Sequence, residues 1–129
     1  MSTISLILSA KIVVTVLLVA GPFLFLPRRR LEAITGVSAA SSALFRLYGL
    51  AVAALLVGYG LGLWQSMSGS FPWAATLMGV VSNVGAAGIL AFAPSVSSRV
   101  HATIFGTIGL LLIWAALFPS AAAQHLLSG

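Results

Sequence analysis

Four long apolar stretches constrain this chain more than any other feature. They occupy residues 4–26, 43–64, 72–93 and 100–118, with Pro, Gly, Ser or Arg punctuating the gaps. A helix needs about 20 residues, at ~1.5 Å rise each, to cross a hydrocarbon core. The core offers no water to backbone polar groups, so a spanning segment must be a helix or part of a closed barrel. Barrel strands alternate apolar and polar residues. These stretches are apolar in both phases, which points to helices, and their short connections make neighbours antiparallel. The expectation is all-α: an integral membrane four-helix up-and-down bundle, with residues 1–129 forming one transmembrane domain.

Charge supports the same reading. Only 5% of the residues are charged and 60% are hydrophobic, whereas a soluble domain carries about 25% charged residues. The net charge of +5 comes from six Lys and Arg against one acid, Glu32. In a soluble protein that excess would suggest nucleic acid. Here most of it flanks apolar runs, so membrane lipids are the expected partner and nucleic acid is not. Arg28, Arg29, Arg30 and Arg46 are candidate contacts for lipid headgroups, although simple marking of topology is the plainer role.

The same residues set an orientation. Arg28, Arg29 and Arg30 follow the first stretch, Arg46 opens the second and Arg99 precedes the fourth, while the connection between the second and third has no Lys or Arg. The positive-inside rule then places the first and third connections in the cytoplasm of a bacterial inner membrane, with both termini outside. Trp64, Trp73 and Trp114 share the outer interface in that arrangement. Lys11 counts mildly against it. The first ten residues carry no positive charge, so the N-terminal run reads as the first span rather than as a secretory leader.

Catalytic patterns are absent. There is no cysteine to act as nucleophile or thiolate ligand, and a lone carboxylate cannot form an acid–base pair. The glycines of Gly58-Tyr59-Gly60-Leu61-Gly62 fall inside a helix, not in a phosphate-binding loop. His101 and His125 fall on opposite sides of the predicted bundle, which excludes a shared metal site within one chain. A non-enzymatic protein without cofactor is expected.

A few polar groups and small residues remain. Lys11 is the one charged residue well inside a predicted span, a functional signal by default. Its bland reading is that it lies about two turns in and snorkels to the interface on its long stem. Asn83, with Ser82 beside it, sits near the middle of the third stretch and suits interhelical hydrogen bonding or, less plainly, a polar ligand. Small residues recur at helical spacing: Ala54, Gly58 and Gly62; Gly49 and Ala53; Gly79, Asn83 and Ala87; Ala102 and Gly106. Such stripes let helices approach closely, and they predict tight packing of the second stretch on the third. Gly21-Pro22 predicts a kink in the first stretch near its cytoplasmic end. Between the spans, the segment Arg28 to Ala40 reads as a short interfacial helix stopped near Gly36, with Leu31 and Ile34 on one side, and the tail from Ser120 to Gly129 reads as weakly helical and fraying.

A first span ending in proline, a basic loop, then Arg46-Leu47-Tyr48-Gly49 opening a glycine-rich span resembles small uncharacterised bacterial four-helix membrane proteins over about residues 20–64. That resemblance implies no activity. Small multidrug exporters, which carry a carboxylate in the first span, and small fluoride channels do not match. The leading expectation is a structural or accessory membrane protein that packs against itself, a larger complex or lipid. The alternatives are an oligomeric transporter or channel with Lys11, Tyr59 and Asn83 near its pathway, and a protein holding a lipid, quinone or sterol between its helices.

Overall fold

The computed structural model describes residues 1–38, 40–92 and 96–124, which are helical with no extended strand. The first long helix is α1 (Thr3–Thr15), a π-helical segment (Val16–Ala20) and α2 (Gly21–Phe25) in unbroken succession. Then come α3 (Arg28–Thr35), α4 (Ala43–Met67), α5 (Trp73–Ala91), α6 (Val96–Leu117) and the short α7 (Pro119–Ala123). Four helices are long and apolar enough to cross a membrane: Thr3–Phe25, Ala43–Met67, Trp73–Ala91 and Val96–Leu117. These match the four predicted stretches within a few residues. The predicted end of the third at residue 93, and His125, lie outside the described residues.

Local chemistry explains the ends. Ser2 caps α1, its Oγ accepting the N–H of Ser5 at 3.3 Å. The hydroxyls of Ser2 and Ser5 also bond to each other and to the Ser66 hydroxyl, at 2.7, 3.1 and 2.8 Å. This ties the start of α1 to the end of α4. Pro22 explains the π-helical segment before it. Its ring lacks an N–H and crowds the preceding turn, and that turn widens so that Gly21 N–H bonds Val16 O. A Cβ at Gly21 would sit 2.8 Å from the same oxygen, so glycine is needed there.

The end of α2 has a second proline to absorb. The carbonyl of Phe23 would normally accept from residue 27, and Pro27 has no N–H. Arg46 supplies the missing donors. Its Nη1 donates to Phe23 O at 3.0 Å and its Nη2 to Leu26 O at 2.9 Å. Charged donors to backbone carbonyls are worth more than neutral ones. Arg46→Met is therefore expected to destabilise the protein by about 2 kcal/mol or more, with Arg46→Lys intermediate, measured by denaturant unfolding in mild detergent. Equal stability of all three would show that the guanidinium does not hold this corner.

The two apolar residues on one side of α3 fare differently. Leu31 is fully buried against Phe45, with Phe23 and Leu26 beside it, but Ile34 stays exposed. The helix stops where expected, at Gly36 with φ 69°. The start of the tail is helical as α7, and Ala122 is fully buried in the same core cluster as Ile4 and Ala115; residues 125–129 lie outside the described residues. Ser42, at the N-cap of α4, makes no side-chain cap bond.

α1 packs on α4 and α6, and α5 packs on α6 and α4. Tight packing was expected of α4 on α5. The most extensive interface is instead α5 on α6, where Gly79 faces Leu112 and Gly109 faces Val84. α4 and α5 do meet closely at one end, where Gly62 lies against Ala75 and Gly58 against Met78. Gly49 sits on Phe23 and Leu24, and Gly106 is in ordinary contact with Ala87. Ala54, by contrast, is exposed among the described residues. Large apolar side chains project outward, Phe25 being 81% exposed.

Candidate functional site

Lys11 does not snorkel. It is only 4% exposed, and its Nζ donates to Asn83 Oδ1 at 2.9 Å. The bond runs between α1 and α5, which share no extensive interface among the described residues, so the long side chain reaches across the interior. The stem that would allow snorkelling permits this reach as well. The Nζ also stands over two aromatic faces, 5.1 Å from the Tyr59 ring centroid and 5.5 Å from that of Phe105, within the range of cation–π attraction.

Asn83 is fully buried and its capacity is used. While Oδ1 accepts from Lys11, Nδ2 donates to Gly79 O at 2.6 Å and more weakly to Ser82 Oγ at 3.4 Å. Ser82 Oγ lies 2.7 Å from Tyr59 Oη and 3.3 Å from Gly79 O. Donating Ser82 to Gly79 and Tyr59 to Ser82 satisfies both contacts at once. The three residues singled out in the sequence, Lys11, Tyr59 and Asn83, thus form one cluster with Ser82.

Two members were not foreseen. Phe105 contributes a ring face. Thr15 is 4% exposed, and its Oγ1 is buried with no hydrogen-bond partner. A buried hydroxyl without a partner is unfavourable by about 1–3 kcal/mol. Thr15 follows Lys11 by four residues, so both lie on one helical face, and that spacing was the available signal for it.

Beside the cluster is a cavity of about 270 Å³. Lys11, Thr15, Tyr59 and Ser82 line one end of it. The rest is apolar, with Val19 and Phe105 on one side, Val52 and Leu55 of α4 on another, and Ala86, Ile89 and Leu90 of α5 opposite. Tyr48 and Ile89, which also line it, are 51% and 77% exposed. The cavity therefore opens to the outer surface between α4 and α5, away from the Gly62–Ala75 contact. It is elongated: Tyr48 to Tyr59 spans roughly 16 Å of helix.

The arginines stand apart from this site. Arg46 is committed to the α2 carbonyls. Arg28 donates to Glu32 Oε1 at 2.8 Å and to Ala40 O at 3.2 Å, while Arg29 and Arg30 are exposed. No group of three His, Cys, Asp or Glu side chains suited to a metal exists among the described residues. The chain matches no protein family, no curated protein and no solved structure. Its chemistry has to be read from the site itself.

Proposed function

We propose that this chain is a non-enzymatic integral membrane protein that holds a lipid-soluble small molecule between its helices. In this reading the four long helices cross a bacterial inner membrane as an up-and-down bundle, with both termini outside and the arginine-bearing connections in the cytoplasm. The hydroxyl triad of Ser2, Ser5 and Ser66 supports antiparallel neighbours, because it joins the start of α1 to the end of α4. Contact of α3 with α6 supports placing the two basic connections at one end.

The observation that carries the functional reading is the cavity's polarity. Its lining offers an amine, a phenol and a hydroxyl without a partner beside the Lys11–Asn83 bond; the rest is apolar apart from Tyr48, and it opens sideways. A protein built only to pack has no use for a buried lysine beside a void. A pocket of about 270 Å³ lies just below the ~300–1,000 Å³ that encloses a drug-sized ligand. It suits the polar end of a longer molecule whose remainder lies in lipid outside the mouth.

Native mass spectrometry of protein extracted in mild detergent tests this directly. Wild type is expected to retain a hydrophobic small molecule, and Ala86→Phe, which fills the cavity, to lose it while staying folded. Bare wild-type protein, still bare after incubation with total membrane lipid, would remove the reading. It would return the accessory-subunit alternative, under which filling the cavity has no effect.

A further inference from the structure

We infer that the cavity takes a single-chain amphiphile with a carboxylic acid head, and that the acid pairs with Lys11. The inference rests on the pocket reading above and narrows it to one ligand chemistry.

Charge is the first argument. Lys11 is enclosed, yet among the described residues its hydrogen-bond partner is the neutral amide of Asn83, and its Nζ otherwise stands over the ring faces of Tyr59 and Phe105. The chain's single acidic side chain, Glu32, is on α3, where it pairs with Arg28. Buried charges are ordinarily paired, because an isolated one is strongly unfavourable. No described residue supplies an opposite charge at Lys11, and the open side of Lys11 is the cavity. A carboxylate there completes the pair at net zero charge. A phosphate monoester, with about −1.5 to −2 charges, would overshoot the one cation. A quinone or sterol would leave it uncompensated.

Hydrogen-bond capacity is the second argument. The Lys11 Nζ has donors beyond the one used by Asn83. Thr15 Oγ1, one helical turn on, without a partner and also lining the cavity, is one more donor. A carboxylate has two oxygens and accepts from both groups. Shape is the third: an elongated, otherwise apolar cavity with a lateral mouth fits a linear chain better than a fused ring or a two-chain lipid.

The test compares an acid with its uncharged isosteres in the same protein. Full-length protein in phosphatidylcholine nanodiscs is titrated with radiolabelled oleic acid, oleyl alcohol and methyl oleate. Wild type is expected to prefer the acid by at least about tenfold over either neutral analogue, since charge-assisted hydrogen bonds are roughly twice as strong as neutral ones. Lys11→Gln is expected to bring all three within about twofold. The wild-type comparison needs no variant, so it stands if Lys11→Gln fails to fold. Equal binding of acid and alcohol by wild type, abolished by Ala86→Phe, would overturn the acid head and leave the pocket intact. An acid preference that persists in folded Lys11→Gln would likewise remove Lys11 as the partner. Binding of none of the three by wild type would overturn the acid, and a bare protein in the mass-spectrometric experiment would then overturn the pocket too.

Discussion

Asn83→Leu should be among the most damaging single changes in the chain, and adding Lys11→Met should rescue it. The leucine removes the one hydrogen-bond acceptor of an enclosed lysine. Stripping the partner from a buried charge destabilises by about 3–5 kcal/mol, whereas replacing both members with apolar residues is often near neutral. The cation–π contacts with Tyr59 and Phe105 survive the substitution, so a loss near 3 kcal/mol is expected. Lys11→Met alone strands Asn83 Oδ1 and should cost about 1–3 kcal/mol. The double variant should be more stable than Asn83→Leu. Denaturant unfolding of the four proteins in one detergent gives the coupling energy. Additive losses would mean that the two side chains do not depend on each other.

The second large effect is expected from one methyl group. In Gly62→Ala the new Cβ lands on the Cβ of Ala75. Both atoms are fixed to backbone, so no side chain can swing aside and the helices themselves must part. Overpacking of this kind destabilises by about 1–3 kcal/mol, and the rigid contact places Gly62→Ala at the upper end. Two controls sharpen the result. Gly60→Ala, on the same helix, meets nothing within 4 Å and should gain up to about 1 kcal/mol from helix propensity. Ala75→Gly should relieve much of the damage in Gly62→Ala. Wild-type stability of Gly62→Ala, by the same unfolding measurement, would show that α4 and α5 are not clamped there.

The four long helices were legible because hydropathy over about 20 residues is a local property. The turn at Gly36 was legible for the same reason. What resisted was anything set by the third dimension. Lys11 and Asn83 are 72 positions apart, and no periodicity links them. The depth of Lys11 in its helix suggested escape to the interface, but its side chain is long enough for either direction, and only the placement of α5 decides. Ala54 belonged to a clean four-residue stripe with Gly58 and Gly62, yet it is exposed. A stripe follows one helical face, whereas α5 covers only part of that face. The burial of Ala122 in α7 was not legible because α7 docks on a core assembled from distant segments. Pro22 announced a disturbance, and its form, a widened turn ahead of Gly21, follows from which carbonyl the ring displaces.

Under the proposed placement, the sideways mouth between α4 and α5 changes what an affinity means for this protein. Its ligand arrives from a two-dimensional solvent, and the relevant concentration is a mole fraction of the bilayer rather than an aqueous molarity. Lengthening a ligand's tail by one methylene enriches it in that solvent by about 0.8 kcal/mol without touching the protein. A chain-length series therefore reports mainly on partitioning, and changes of head chemistry at constant tail report on Lys11 and its neighbours. A site with modest intrinsic affinity can still be filled, because the membrane has already concentrated what it binds.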